Sequence, residues 1–466
     1  MSFDVIFQSF NVSICFFSDV MRNKDAEING ACQKEMKMHR KSLMEDYSIS
    51  PELVSKCRDD IDNSCTGKSH SNPGEIIHCL LRTAMQRQLE SKECEAELRL
   101  LLREADIASD WKVDPVLKSA CQDVVTQGCD ANLGATHVMT CLMGLMTSQS
   151  RHMTTNCKDR LMEIEYFMAR DFSLDPQLYQ ACHQDAQDVC QADDHWYAEV
   201  DTQNHQLVFA CLARNLYEGE NEDIEDDSTT LSDVCADEVE RVLEQRAISV
   251  QLHPEIDEAC RSELTQFCLS STGVGQEFTC LQDNFDNLGE ECLSSIRTYT
   301  EMEAKNVILN PVIAANCHDH IDKFCQEEVE HKDEGLVIQC LITHRSELMD
   351  DKCSASLEHW QILSLKDWRF SYQFKESCKN DIRKHCLDRG APETKADIIT
   401  CLSDIARNDV IQDTQPRTLT LKCRAQLRFQ LLQKHSSIQL NPKVAKNCKK
   451  AIKMNCPIGK ITILKP

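Results

Sequence analysis

Residues Asn310 to Cys325 read NPVIAANCHDHIDKFC, and the spacing within them decides the fold. An Asn followed by Pro is a helix start: the side chain accepts from a free backbone N–H, and Pro fits the first helical position, where its missing donor is not needed. Ile313, Cys317, Ile321 and Cys325 then fall at i, i+4, i+8 and i+12. That is an apolar stripe on one face of a helix, which strand alternation does not give.

The stretch is one copy of a repeat. Cysteines eight positions apart occur as Cys57/Cys65, Cys121/Cys129, Cys182/Cys190, Cys260/Cys268, Cys317/Cys325, Cys378/Cys386 and Cys448/Cys456. Six before the first cysteine stand Pro51, Pro115, Pro176, Pro254, Pro311 and Pro442, preceded by Ser50, Asp114, Asp175, His253, Asn310 and Asn441. In the sixth copy Tyr372 replaces Pro, so that start signal is missing.

A third cysteine follows each of the first six pairs (Cys79, Cys141, Cys211, Cys280, Cys340, Cys401), and then a fourth (Cys94, Cys157, Cys235, Cys292, Cys353, Cys423). From a fourth cysteine to the next first one the step is 25 residues in six of seven cases and 27 from Cys94 to Cys121. The second-to-third and third-to-fourth intervals vary by about ten residues, so the constant step is a built element and the variable ones hold loops.

The fourth cysteine opens a second amphipathic helix, with Met36, Leu98, Leu161, Val239, Ile296, Leu357 and Leu427 four residues beyond it. The third lies in short apolar segments such as IIHCLL or LVIQCLI, read as a middle helix. The expected fold is all-α, a tandem array of disulfide-stapled helical repeats of about 60 residues. The expected units are 50–113, 114–174, 175–252, 253–309, 310–370 and 371–440, with partial repeats at 1–49 and 441–466. Cys15 and Cys32 fit the third and fourth positions of a unit cut at its start, so the chain reads as a fragment of a longer array.

Composition sets the compartment. An even, regularly spaced set of 28 cysteines is a hazard in a reducing cytosol and a disulfide framework in the secretory pathway. No apolar run reaches membrane-spanning length. Residues 1–21 lack a basic start and a small-residue cleavage site, and so make a poor signal peptide. The single glycosylation sequon is Asn11-Val12-Ser13.

Helix geometry constrains the pairing. Residues eight apart on a helix are separated by about 12 Å, too far for one disulfide. The end of the first helix lies near the start of the second, and the third returns to the start of the first. The hypothesis is therefore a nested pairing: first to fourth (Cys57–Cys94, Cys121–Cys157, Cys182–Cys235, Cys260–Cys292, Cys317–Cys353, Cys378–Cys423) and second to third (Cys65–Cys79, Cys129–Cys141, Cys190–Cys211, Cys268–Cys280, Cys325–Cys340, Cys386–Cys401). Four cysteines allow three connectivities, and a bridge from a fourth cysteine into the next unit stays open. A unit this small buries only about 60% of its unfolded surface, and a bridge closing about 15 residues adds on the order of 3 kcal/mol.

Charge is uneven. Lys and Arg number 51 against 76 Asp and Glu, a net −25; Arg417 to Pro466 holds 12 Lys or Arg and no acid, so residues 1–416 carry −37. Such a chain repels nucleic acid and attracts basic proteins. The run Glu218 to Asp227, EGENEDIEDD, reads as a solvated loop, with a contact to a basic partner as the second reading. Lys443, Lys446, Lys449, Lys450 and Lys453 fall on one side of the last helix, a candidate surface for sulfated glycans or phosphate.

Catalytic and cofactor signals are missing. No closely spaced cysteine pair of the zinc type occurs, His318 and His320 read as surface histidines, and the glycines Gly273 and Gly275 lie in a polar loop rather than a phosphate-binding one. No cofactor and no enzyme activity are expected.

The four-cysteine unit, its C-x7-C pair, the apolar-Cys-Leu third site and the 25-residue return resemble the repeats of the Golgi apparatus protein 1 family. Its members are also described as cysteine-rich fibroblast growth factor receptors and E-selectin ligands. The resemblance covers nearly the whole chain. It implies the luminal part of a type I Golgi membrane glycoprotein that binds fibroblast growth factors and affects their secretory trafficking. Membrane attachment would come only through a segment missing from this chain. Selectin binding rests on glycans and is not carried over. The alternative is a structural or cargo-retention luminal scaffold with no specific growth-factor site.

Overall fold

The computed structural model describes residues 30–451 apart from 66–72, 131–133, 135–136, 149, 194–201, 219–229, 331–332, 349–350, 388–393, 414–415, 435–437, 442–443 and 445–446. Among the described residues there are helices and no strand. The chain divides into two compact units, Met1–Glu258 and Ala259–Pro466.

Three helices make each repeat. In the second they are an opening helix Pro115–Gly128, a middle helix Val138–Thr147 and a closing helix Thr155–Met168. The fifth uses Pro311–Phe324, Leu336–Thr343 and Asp351–Leu363. Opening helices start as their sequence dictates: Asp114 accepts from the amides of Val116 and Leu117, Asp175 from Gln177 and Leu178, and Asn310 from Ile313. In the first and fourth repeats the opening helix is locally distorted at its first cysteine, giving Pro51–Lys56 and Pro254–Ala259 as separate segments. Hydrogen bonding carries across the break, since Cys57 N donates to Leu53 O and Ile61 N to Cys57 O at 2.9 and 2.8 Å.

The constant 25-residue step contains an element that the spacing alone does not reveal. A one-turn 3-10 helix sits between each closing helix and the next opening helix, at Tyr47–Ile49, Trp111–Val113, Phe172–Leu174, Val250–Leu252, Val307–Leu309 and Trp368–Phe370. Each is capped by a short polar side chain: Asp46, Asp110, Asp171, Ser249, Asn306 and Asp367 accept from the amide two residues on. The cap of the opening helix follows four residues later. Helix, turn and helix are thus joined by short capped links; the step from Cys94 to Cys121 takes two extra residues between the closing helix Lys92–Ala105 and the turn at Trp111.

Twelve disulfides join first to fourth and second to third cysteines in all six repeats. First–fourth bridges hold Cα atoms 4.6–4.8 Å apart and second–third bridges 5.8–6.1 Å. The first–fourth bridges span 32 to 53 residues, which corresponds to about 4 kcal/mol each in the chain-entropy account. They also lie in the core: Cys121, Cys157, Cys182, Cys235, Cys378 and Cys423 have no exposure, and Leu117, Leu178 and Phe374, four residues before a first cysteine, are 0–3% exposed. Cys129, Cys141, Cys190 and Cys211 of the second–third bridges are partly exposed. Cys448 is exposed and forms no disulfide among the described residues. Cys15 and Cys456 lie outside the described residues, as does the side chain of Cys32.

A buried acid sets where the closing helix starts. Three residues after the first cysteine stand Asp60, Asp185, Glu263 and Asp381, all at most 9% exposed. Asp185 accepts from the Ser232 amide at 2.7 Å and its hydroxyl at 2.8 Å, and Asp381 accepts from both groups of Thr420 at 3.0 and 2.8 Å. Glu263 takes the Gly289 amide at 3.0 Å and Asp60 the Glu90 amide at 2.8 Å. The hydroxyl at the helix start in turn accepts from the fourth cysteine's amide, as from Cys94, Cys157, Cys235 and Cys423. The clamp delivers the fourth cysteine to the first.

Two outcomes follow. Brief treatment with limiting phosphine and alkylation should label Cys129, Cys141, Cys190 and Cys211 before Cys121, Cys157, Cys182 and Cys235; mass spectrometry showing the buried set labelled first would contradict this ordering. Asp185→Ala strands the Ser232 amide, so hydrogen exchange over residues 232–246 should show protection lower by about 1–3 kcal/mol; unchanged protection would remove the clamp's role.

Candidate interaction surface

Junctions between repeats are built from buried charge, which fixes what the surface can present. In the first unit His78, on the middle helix Gly74–Met85, is fully buried between two carboxylates of the next repeat. Its Nε2 lies 2.8 Å from Asp114 Oδ2 and its Nδ1 2.7 Å from Glu163 Oε2. Arg82 Nε donates to the other Glu163 oxygen at 2.7 Å, and Arg160 bridges Glu163 and Glu75 at 3.2 and 2.8 Å. Burial by itself would drive the imidazole down; the charge of Asp114 and hydrogen bonds to Asp114 and Glu163 outweigh it and raise it from 6.5 to about 9. Glu163 is held below its ordinary value, burial being outweighed by His78, Arg160 and Arg82. His78 is therefore a buried cation in a carboxylate clamp, and no metal is needed to explain it.

Further contacts tie repeats together. Arg103 forks onto Asp171 at 2.7 and 2.9 Å. Asp257 receives Arg170 at 2.7 Å and also Arg87 from the first repeat. Arg170 stacks on the Tyr166 ring at 3.6 Å. In the second unit Glu301 takes Arg369 at 3.5 Å and Lys375 at 3.4 Å, while Asp283 meets His359 at 2.7 Å.

Other acids face solvent. The fifth repeat exposes Asp319 and Asp322 on the opening helix and Glu327 and Glu330 on the short helix Gln326–Glu330 that follows it. Both segments are pinned, by Cys317–Cys353 and Cys325–Cys340. Lys323 and His318 share that surface, with His318 3.6 Å from Asp322. His320 stacks on Phe324, which stacks in turn on His344, so the two histidines are not brought together as chelators. The metal-like grouping Cys325, Glu328 and Cys340 has its two sulfurs bonded to one another and offers no thiolate. Gly275 caps the middle helix Gln276–Asp283 at φ 69°, a conformation that suits glycine.

Of the basic face, Lys449 and Lys450 are exposed, whereas Lys443, Lys446 and Lys453 lie outside the described residues. Asn11 also lies outside them, as does the acidic run beyond Glu218, at which the helix Thr202–Glu218 ends. No described helix is long and apolar enough to cross a membrane.

The family of the description "Cysteine rich repeat" matches residues 30–88, 92–150, 155–220, 233–289, 290–349 and 351–410. The chain belongs to the cysteine-rich repeat family. Each match opens on a closing helix and ends after the third cysteine, so in the family's phase the bridge Cys57–Cys94 joins one unit to the next. The chain is 34% identical over 447 residues to Golgi apparatus protein 1 of Rattus norvegicus and of Homo sapiens, covering 95% of this chain and 37% of those proteins. It is 33% identical over 459 residues to the Golgi apparatus protein 1 homolog of Caenorhabditis elegans, covering 93% of this chain and 39% of that protein. The chain thus spans a little over a third of the length of the curated relatives it matches. No solved structure matches it.

The His78 clamp has a readable pH signature. A folded pKa raised above the unfolded 6.5 contributes fully below that value and is lost as pH rises through about 9. A raise of that size corresponds to on the order of 3 kcal/mol. His78→Gln should lower the urea midpoint of the first unit at pH 6, with the gap from wild type closing between pH 6.5 and 9. A gap that stays constant over that range would show that the imidazole is not the cation.

Proposed function

We propose that the chain is a luminal Golgi repeat protein that binds growth factors of the fibroblast type through its acidic surface and influences their passage through the secretory pathway. The observation that carries this reading is the exposed set Asp319, Asp322, Glu327 and Glu330 on two disulfide-pinned segments. Carboxylates on a rigid support cost little ordering on contact with a basic partner, and they steer its approach. The relatives' names place them at the Golgi apparatus, and regular disulfides suit an oxidising lumen. The role proposed is binding, not catalysis.

Titration of a basic fibroblast-type growth factor onto the secreted chain at rising salt tests it. Binding should be saturable and weaken steadily with salt. Reversing all four acids (D319K, D322K, E327K, E330K) should weaken it by about tenfold or more, since each exposed pair contributes about 0.2–1 kcal/mol. No binding at low salt, or none lost on charge reversal, would overturn the reading and favour a retention scaffold without a growth-factor site.

A further inference from the structure

The second unit contains a cleft of about 780 Å³, counting the part open to solvent. Six elements of the chain build it: the middle and closing helices of the fifth repeat, and the 3-10 turn with the three helices of the sixth. Ile338, Trp360, Phe370, Phe374, Ile399 and Phe429 give it apolar walls.

Two lysines break that lining; Lys434 is half-buried, and the other is enclosed. Lys395, the first residue of the helix Lys395–Ile411, is 5% exposed and lines the cleft. Its Nζ donates to Ser371 Oγ at 2.6 Å and to Ser364 Oγ at 3.3 Å. No Asp or Glu lines the cleft among the described residues. Every other buried cation discussed above sits against a carboxylate; this one has two hydroxyls. Burial pulls its amine down to about 7, with no neighbouring charge to hold it up. An ammonium enclosed without a counter-charge costs several kcal/mol, a cost that an arriving anion would offset.

The third repeat shows what the same place looks like when closed. Counting from the cysteines, Glu165, Asp175, Arg241 and Arg246 occupy the positions of Gln361, Ser371, Phe429 and Lys434. There the space is about 380 Å³, and Arg241 reaches Asp175 at 2.6 Å. In the sixth repeat both partners of that ion pair are replaced, by Ser and Phe. Ser371 no longer caps its helix through its side chain, and Tyr372 stands where other repeats have Pro. Relative to the third repeat, these changes converge on the walls of the cleft.

We propose that this cleft binds an amphipathic organic anion, its single oxyanion head on Lys395 Nζ between Ser364 and Ser371 and its apolar body along Trp360, Phe370 and Phe429. The shared chemistry is one oxyanion on a hydrocarbon or aromatic body, whether fatty acid or another lipophilic acid.

Calorimetry on the full chain with decanoate and decanol tests this, with thermal melting as a check that each variant folds. Wild type should bind decanoate at least about tenfold more tightly than decanol, a charge-assisted hydrogen bond being worth about 1.5–3 kcal/mol. Lys395→Met should abolish that preference while leaving decanol affinity within about twofold. Ile338→Trp, which fills the cleft without touching the head site, should remove binding of both probes. Wild type that binds neither probe or prefers decanol, a Lys395→Met variant that keeps the decanoate preference, or binding that survives Ile338→Trp would each overturn the proposal. Should Lys395→Met fail to fold, Lys395→Gln replaces it with the same expected loss of preference.

Discussion

The first–fourth disulfide is the constraint on which the rest depends. It brings the opening and closing helices to a Cα separation of 4.6–4.8 Å at a fully buried point, so two helices far apart in sequence share one core residue pair. That closeness requires the fourth cysteine to arrive at a fixed height on the opening helix. The buried acid three residues after the first cysteine accomplishes this by holding the start of the closing helix, as Asp185 holds Ser232 and Asp381 holds Thr420. The second–third bridge has less to fix. It ties a loop of 12 to 21 residues, partly exposed in the second and third repeats and buried in the first and fifth, and length varies more there than in the helix-turn-helix step.

Each three-helix repeat is small, and it turns to its neighbours for the rest of its burial. The junctions accordingly carry the charges that a single three-helix unit could not enclose. His78 between Asp114 and Glu163, Arg103 on Asp171, and Asp257 under Arg170 and Arg87 all cross from one repeat to another within the first unit. Buried pairs of this kind add modest net stability, but leaving one partner alone is costly. They therefore specify which repeat follows which, a task that near-identical apolar faces could not perform.

Much of this is legible in the residues. The C-x7-C pair with its i, i+4, i+8, i+12 stripe states an amphipathic helix, and Asp, Asn or Ser before Pro states its start. The 3-10 turn was written too, as a second Asp, Ser or Asn four residues before each helix cap, but a one-turn element has no hydrophobic period to announce it. The buried acids were hidden for a different reason. Asp60, Asp185, Glu263 and Asp381 lie three residues after a cysteine in otherwise polar stretches, and an acid there reads as solvent-facing unless the amide it clamps, about 26 to 47 positions on, is known to come near. His78 within IIHCLL is the same case, since both its carboxylates come from the next repeat.

Repetition also makes exceptions informative. A residue kept in register in every copy maintains the frame, whereas a departure releases a position from that duty. Relative to the third repeat, Tyr372 for Pro176 and Ser371 for Asp175 remove a helix-start signal and a buried carboxylate together, which would only weaken the sixth repeat if nothing else changed. Phe429 in place of Arg241's equivalent and Lys395 at the equivalent of His205 change with them, and the four substitutions share one cleft. The stapled scaffold explains why such change is tolerated: with Cys378–Cys423 and Cys386–Cys401 fixing the three helices, the side chains between them can be spent on a ligand without loss of the fold.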